Sequence, residues 1–314
     1  MKAVGQACGK VILLGEHAVV YGIPALAVGI DRGARAQAAP MDRGPSRLFV
    51  RGWDIVVHEN EQGHDLARAF RALLDTATPT GPHWVEVETD LPPGGGLGCS
   101  AAIGVAIARA VEPRLDEHAV QERAMAWECV FHGNPSGVDA AVAARGGCIV
   151  FTKGHPLEPV RVRGPLHLCV GHSGIASSTK SMVEAVARLR ARRPEVVEKS
   201  FEAIRTLVSN ARLAIEAGDR FALGRLMDLN QMLLSGLFVS TPEIERMCAL
   251  ARESGALGAK LTGAGGGGSV AALVPSQAVA EQVLGAWKAE GFAGFAACVA
   301  PETRPVSLES EAAP

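Results

Sequence analysis

Aromatic side chains are scarce in this sequence, and neither sign of charge is in large excess. Aromatic residues make up 4% of the 314 positions, whereas hydrophobic residues as a whole make up 48%. Small aliphatic side chains and glycine must therefore fill the interior, which suits close packing of helices on sheets in an α/β or α+β protein. The net charge of −2 gives no basic surface of the kind that nucleic-acid binding requires, so we expect no nucleic-acid partner.

Long apolar runs and paired cysteines are also missing. No apolar run reaches the length of a membrane span, and the first residues lack the charged-then-apolar pattern of a signal peptide. The seven cysteines stand singly, with no CxxC pair, which is typical of reduced thiols in the cytoplasm. We therefore expect a cytoplasmic enzyme that does not associate with a membrane.

The length of 314 residues favours two domains. A region rich in proline, glycine and basic residues at 155–165 is the candidate boundary. We predict an N-terminal domain over residues 1–160, a C-terminal domain over 161–302 and a frayed tail over 303–314.

The hydrophobic pattern predicts strands and helices in both halves. In the second half a helical pattern runs from about residue 178 to 255, with breaks near Pro194, Gly218 and Pro242. In the first half we predict strands over residues 10–14, 25–37, 47–58 and 147–152, and helices over 65–75 and 117–131.

The most informative segment is a glycine loop, LPPGGGLGCSAAIGVAIARA, over residues 91–110. It follows the alternating residues 84–88, which predict a half-buried strand, and it leads into an apolar stretch that predicts a helix. The N-terminus of a helix attracts phosphate, and glycines let a phosphate approach the backbone closely. A nucleotide-phosphate cradle is one interpretation, and a tight turn is the other. The loop lacks the GK[ST] of a Walker P-loop and the GxGxxG spacing of a dehydrogenase.

Three further segments carry polar residues in apolar surroundings. In GKVILLGEHAVVYG, Lys10 begins a buried strand, and Glu16 and His17 follow its end, where each alone is typical of a solvated strand end. Glu128 lies in an apolar helical stretch, where the ordinary interpretation is an exposed position. Asp139 stands among valines and alanines and needs a cation or a metal as its partner.

The last of these segments is KLTGAGGGGS, over residues 260–269. It is a glycine loop between two predicted strands, and its backbone can approach a ligand or another loop closely. A flexible hairpin is the alternative interpretation.

In their order along the chain, the four segments resemble the motifs of the GHMP small-molecule kinases. Within that family they are most similar to the branch that uses ATP to phosphorylate the 5-hydroxyl of mevalonate. The resemblance covers residues 9 to 269 and implies an α+β fold of two domains with the active site between them. It implies a left-handed βαβ unit in the N-terminal domain, against the usual right-handed rule, and a ferredoxin-like C-terminal domain.

The resemblance also implies a role for each matching residue. Asp139 would be the catalytic base, or would orient the substrate hydroxyl, and Lys10 would neutralise charge beside it. Ser100 and Glu128 would hold Mg²⁺ on the phosphates of ATP. The residues that contact mevalonate would be Lys10, Glu16, His17, Asp139 and Thr179. The residues that bind ATP would be Pro93, Gly94, Gly95, Gly96, Leu97, Gly98, Cys99, Ser100, Ala101 and Ala102.

Two positions depart from the family pattern. Cys99 stands where serine is usual, which puts the hydrogen bonds of the loop in question. Ala140 stands where asparagine is frequent, which puts a contact beside Asp139 in question. The rival interpretations are another GHMP kinase, acting on phosphomevalonate or homoserine, and a non-catalytic relative that only senses a ligand. Family analogy alone allows a homodimer.

Overall fold

The computed structural model of the chain describes residues 2–76, 81–133 and 135–299. The predicted tail at 303–314 lies outside the described residues. Two sheets and nine α-helices make up the described part. The strands are β1 Ala3–Leu14, β2 Ala25–Pro40, β3 Arg47–Val50, β4 Ile55–His58, β5 His83–Thr89, β6 Cys148–Phe151, β7 Glu158–Pro159, β8 Leu166–His172, β9 Gly258–Thr262, β10 Ser269–Val274 and β11 Ala293–Val299. The helices are α1 Asp65–Asp75, α2 Cys99–Val111, α3 Glu117–His132, α4 Val138–Arg145, α5 Thr179–Arg192, α6 Pro194–Ala217, α7 Arg220–Gly236, α8 Pro242–Glu253 and α9 Gln277–Ala289.

The first sheet is built around β2, the longest strand. β2 pairs along most of its length with β1, and on its other edge with β5 through its second half and with β6 through its first residues. β3 and β4 extend the sheet beyond β5, and β7 extends it beyond β6. All of these pairings are antiparallel except the parallel pair of β3 and β5.

The second sheet has the order β11-β8-β10-β9, and every neighbouring pair is antiparallel. This is the order that a βαββαβ unit of the ferredoxin-like type produces. The strands of the first sheet end at Pro159, and those of the second begin at Leu166. The division of the chain at residue 160 therefore stays a prediction that agrees with the two sheets.

α2 occupies the centre of the first half, because almost all of its side chains are small and apolar. Eleven of its 13 residues are buried. It packs against β1, β2 and β5 and against the helices α3 and α4. This packing fixes the N-terminus of α2, and with it the end of the glycine loop.

Most of the predicted elements are confirmed, with two corrections. Lys10 does not begin its strand, because β1 starts at Ala3 and pairs with β2 from there. The other correction concerns residues 47–58. This region is a hairpin of β3 and β4 because residues 51–54 turn the chain, with Gly52 and Asp54 in the left-handed region at φ 86° and 53°. The predicted breaks in the helical region are confirmed by the bounds of α6, α7 and α8. Among the described residues, no helix is both long and apolar enough to cross a membrane.

Candidate active site

The glycine loop joins β5 to α2, as its sequence predicts. Gly98 is the N-cap of α2, in the left-handed conformation at φ 71°, and it makes no side-chain cap hydrogen bond. The first N–H groups of a helix have no partner within the helix, so here they are available to an anion. Ala101 and Ala102 are fully buried, and the N–H of Ala102 already donates a hydrogen bond of 2.8 Å to the carbonyl oxygen of Gly98. Pro93 and Gly94 are exposed at the other end of the loop.

Lys10 connects this loop to Asp139. Its ammonium lies 3.0 Å from Asp139 Oδ1 and donates a hydrogen bond of 2.9 Å to the carbonyl oxygen of Gly96. Lys10 is 3% exposed, whereas the side chain of Asp139 keeps 35% of its surface exposed. Gly98 makes this approach possible, because a Cβ at that position would lie 3.0 Å from Lys10 Cγ. The pair predicted from distant segments is therefore formed at the start of α2.

Asp139 lies in the first turn of α4, which begins at Val138 after the left-handed Gly137. A carboxylate near a helix N-terminus is stabilised by the unpaired N–H groups there. The cation that the sequence required for Asp139 is Lys10.

Glu128 and Ser100 face each other between α3 and α2. Burial raises the pKa of Glu128 to about 7, with a further rise from the nearby Asp139 charge, while the Ser100 hydroxyl and Lys10 act in the opposite direction. Glu128 Oε1 is buried and has no hydrogen-bond partner. Glu128 is 3% exposed, so the exposed-face interpretation of this residue is wrong.

This arrangement fits a magnesium ion that is shared with phosphates. Mg²⁺ is usually held by one or two protein carboxylates together with substrate phosphates and water. A buried carboxylate oxygen without a partner, beside a hydroxyl and a helix N-terminus, supplies such a partial set. In the part of the chain that the structure describes, no group of three His, Cys, Asp or Glu side chains could hold a metal by itself. The ion would therefore depend on the nucleotide for further ligands.

Thr179 joins the site from the second half of the chain. It is the first residue of α5 and lines a small cavity of about 70 Å³ together with Glu128, His132 and Asp139. His132 Nε2 lies 3.7 Å from Glu128 Oε2, and burial lowers the pKa of His132. The structure thus brings Glu128, Asp139 and Thr179 to one cavity, although up to 51 positions separate them in the sequence.

Glu16 has a different environment from the one that its predicted contact with substrate requires. It is 1% exposed, forms an ion pair with Lys260 and accepts a hydrogen bond of 3.2 Å from Asn230. Burial raises the pKa of Glu16 and lowers that of Lys260, and the charge of each partner opposes both shifts. Both carboxylate oxygens of Glu16 are thus bound within the protein, and its contact with substrate stays a prediction. The pair joins the end of β1 to β9.

His17 follows Glu16 with a positive φ of 62° and is 5% exposed. Its Nε2 lies 2.7 Å from the carbonyl oxygen of Ala264, and a carbonyl only accepts, so Nε2 carries the proton. Burial lowers the pKa of His17, which keeps the ring neutral. The hydrogen bond fixes His17 against the third glycine segment.

That segment, between β9 and β10, packs against other loops. A Cβ at Gly265 would lie 2.1 Å from the carbonyl oxygen of Val239, and a Cβ at Gly96 would lie 3.2 Å from that of Thr262. Ser269 Oγ donates a hydrogen bond of 2.6 Å to the carbonyl oxygen of Gly95. Of the two close approaches that its sequence allows, to a ligand or to another loop, the second is therefore formed.

The two departures from the family pattern have local consequences. Cys99 Sγ donates a hydrogen bond to the carbonyl oxygen of Leu91 at 3.6 Å and lies 3.8 Å from Thr89 Oγ1. The thiol therefore makes weak hydrogen bonds where a serine hydroxyl would make stronger ones. Burial raises the pKa of Cys99 to about 11, which leaves the thiol protonated and unreactive near neutral pH. Ala140 is 1% exposed and lines the small cavity.

Larger cavities lie outside this centre. One of about 520 Å³ borders the glycine loop at Leu91, Pro92 and Leu97, with Trp53 and Phe295 on other sides. Another of about 760 Å³ runs past Cys8, Gly33 and Arg109 and contains none of the predicted site residues.

Three contacts were missed by sequence reasoning. Trp127 Nε1 donates a hydrogen bond of 3.0 Å to Ser100 Oγ, although its sequence context suggested only an apolar neighbour of Glu128. Lys260 belongs to a segment that was noted for its glycines. His132 follows Glu128 by one helical turn, and that spacing was the available signal.

Comparisons with known proteins agree with the geometry. The family model described as "GHMP kinases N terminal domain" matches residues 65–147, and "GHMP kinases C terminal" matches 211–293. The chain is 34% identical to the mevalonate kinase of Thermococcus gammatolerans, covering 88% of this chain and 90% of that one. It is 36% identical to the mevalonate kinase of Archaeoglobus fulgidus, covering 86% and 92%. Its fold matches the crystal structure of L. major mevalonate kinase in complex with R-mevalonate with a TM-score of 0.82, at 30% identity over 96% of this chain and 97% of that one.

Proposed function

Because the chain belongs to the GHMP kinase family, we propose that it transfers the γ-phosphoryl group of ATP to the 5-hydroxyl of mevalonate. The observation that carries the proposal is the pair of Lys10 and Asp139 at 3.0 Å, beside the N-terminus of α2, which has no side-chain cap. Phosphoryl transfer needs positioning and neutralisation of charge more than covalent help, and this centre offers both.

In the proposed reaction, the 5-hydroxyl oxygen forms a bond to the γ-phosphorus while the bond from that phosphorus to the β-phosphate oxygen breaks. Asp139 accepts the hydroxyl proton, so the products are 5-phosphomevalonate and ADP. Lys10 pairs with the Asp139 carboxylate before the reaction and neutralises negative charge between the hydroxyl and the phosphate. The backbone N–H groups at the start of α2, within the segment from Pro93 to Ala102, bind the phosphates.

Ser100 and Glu128 would hold Mg²⁺, which when bound neutralises phosphate charge and orients the nucleotide. Glu128 must lose its proton to act as a ligand, and a cation beside it favours that loss. The cavity that borders Leu91 and Trp53 is the proposed location of the nucleoside, because it adjoins the glycine loop.

His17 and Thr179 are proposed to shape the mevalonate pocket, and Glu16 to support it through His17. The small cavity favours an acceptor without a phosphate of its own, because no Arg or Lys stands among the described residues that line it. A second phosphate on the acceptor would need such residues. A cytoplasmic location is proposed on the basis of the seven free cysteines, and the homodimer remains a prediction by family analogy.

The test is an assay of ADP release with MgATP and each of four acceptors: mevalonate, phosphomevalonate, homoserine and galactose. We expect fast release with mevalonate and far slower release with the other three. The product should carry its new phosphate on the 5-oxygen, as measured by phosphorus–proton NMR. Equal rates with phosphomevalonate or homoserine would contradict the choice of substrate, and no release with any acceptor would favour a ligand-sensing relative.

A further inference from the structure

Trp127 is a buried aromatic residue at the edge of the proposed metal site. It lies in α3, directly before Glu128, and is 1% exposed. Its ring packs on α2 at Gly104, where a Cβ would lie 3.0 Å from Trp127 Cδ1. Gly104 is one helical turn after Ser100, so the indole covers the side of α2 that leads to the Ser100 hydroxyl. Glycine at position 104 thus lets the Trp127 ring pack directly against the backbone of α2.

The indole restricts what the Ser100 hydroxyl can do. Trp127 Nε1 lies 3.0 Å from Ser100 Oγ, and an indole N–H can only donate. A hydroxyl has one hydrogen and two lone pairs, so this contact uses one lone pair and turns the hydrogen away from Trp127. One lone pair of Ser100 then remains without a partner.

We propose that Trp127 is a positioning residue for the magnesium ion of MgATP, through its hydrogen bond to Ser100. It fixes the hydroxyl so that the remaining lone pair is presented together with Glu128 Oε1, the buried oxygen that has no partner. The inference rests on the proposed function, because it assumes that Ser100 and Glu128 hold the ion. It adds a residue whose own side chain does not touch the metal.

A second tryptophan separates this role from ordinary packing. Trp287 in α9 is 0% exposed, and its Nε1 donates to the carbonyl oxygen of Met247 at 2.9 Å, within the second half of the chain. Both indoles are therefore buried and hydrogen-bonded to an oxygen. Only Trp127 is bonded to a proposed metal ligand, so Trp287 is its matched control.

The first experiment compares Trp127→Phe with Trp287→Phe in the full-length protein. Each variant is titrated with Mg²⁺ at saturating ADP, and the midpoint of the metal-dependent rise in melting temperature is recorded. We expect Trp127→Phe to raise this midpoint by about 10–100-fold, the usual effect of losing a partner of a metal ligand. Trp287→Phe should lower the melting temperature without moving the midpoint. Equal midpoints in Trp127→Phe and the wild type would overturn the proposal.

A second measurement uses the wild-type protein and does not depend on whether Trp127→Phe folds. The sequence has four tryptophans, so ¹⁵N-labelled tryptophan gives few indole signals. Adding Mg²⁺ to the ADP-bound protein should shift the Trp127 indole signal and slow its hydrogen exchange, while the Trp287 signal stays in place. An unchanged Trp127 signal in a protein that binds MgADP would refute the role of Trp127 alone. Failure of the wild type to respond to Mg²⁺ at all would instead contradict the proposed metal site.

Discussion

Two lysine–carboxylate pairs lie toward the C-terminal end of β1, and they differ in how much water reaches them. Lys10 on the strand pairs with Asp139, whose side chain is 35% exposed. Glu16, just after the strand, pairs with Lys260, and the two side chains are 1% and 0% exposed. The carboxylate of Asp139 is open to a ligand, so we call Lys10 and Asp139 the open pair. The carboxylate of Glu16 is not, so we call Glu16 and Lys260 the sealed pair. A lysine–carboxylate pair can therefore take part in catalysis or stabilise the fold, depending on the exposure of the carboxylate.

The first pair borders the glycine loop, and its other contact is a loop carbonyl, that of Gly96. The second pair lies between β1 and β9 and is completed by Asn230 from α7. Taking charges out of water is costly, so a sealed pair is retained only where its partners are well fixed. We therefore assign the sealed pair to holding the two halves of the chain together.

The largest effect should come from neutralising the open pair. Asp139→Asn keeps a side chain of the same size but cannot take the hydroxyl proton, so we expect kcat to fall by about 10²–10⁴-fold. Lys10 keeps its hydrogen bond to Gly96 and water reaches the side chain at position 139, so the melting temperature should fall less than when the Glu16–Lys260 pair is broken. Steady-state ADP release with mevalonate and a thermal melt measure both quantities. A stable variant with near wild-type kcat would remove Asp139 from the mechanism.

Breaking the sealed pair should instead affect stability. Lys260→Met leaves the charge of Glu16 buried without its cation, which typically costs about 3–5 kcal/mol of unfolding free energy. Denaturant unfolding measures the loss. The matched control is the double variant Glu16→Gln with Lys260→Met, which removes both charges and should recover most of the stability. If Lys260→Met is as stable as the wild type, the pair does not hold the fold.

Glu128 sharpens the comparison, because it is a buried carboxylate whose only close basic neighbour among the described residues is His132, at 3.7 Å. Its pKa of about 7 in the folded protein lies above the ordinary value, so the folded state binds the proton more tightly than the unfolded chain. Stability from this group is then complete at low pH and is lost as the pH rises through 7. Between pH 5 and 8 the wild type should lose up to about 3 kcal/mol relative to Glu128→Gln.

This difference is measured by urea unfolding of both proteins without Mg²⁺ or nucleotide. Parallel stability curves for the two proteins across that range would mean that Glu128 ionises normally. Since the variant differs only at the carboxyl group, titration of the histidines away from position 128 cancels in the comparison, whereas that of His132, 3.7 Å from Glu128, does not.

The sequence predicted the open pair better than the sealed one. Gly98, Ser100 and the strand–loop–helix pattern indicate a phosphate cradle through local chemistry alone, and Asp139 required a cation because its neighbours are apolar. The family resemblance then supplied Lys10 as that cation. Each of these inferences depends on residues whose immediate surroundings in the chain are unusual.

Long-range contacts escaped the prediction. Glu16 looked like a residue at the rim of a strand, and its partner Lys260 is 244 positions away. Trp127 looked like an ordinary core residue, because its indole N–H has no signature in the apolar pattern. The glycines between β9 and β10 are required by neighbours such as Val239, which only the folded chain brings close. In all three cases the missing information was the packing of distant segments.

The central claim is that the open pair carries the chemistry and the sealed pair carries the fold. The most direct test is a single-turnover measurement of phosphoryl transfer at saturating mevalonate and MgATP, made side by side on Asp139→Asn and on the Glu16→Gln/Lys260→Met double variant. Both proteins are first shown to be folded by their melting curves. We predict that Asp139→Asn is slower than the wild type by at least about 100-fold, while the double variant keeps most of the wild-type rate. A double variant as slow as Asp139→Asn, or an Asp139→Asn protein as fast as the wild type, would contradict the account.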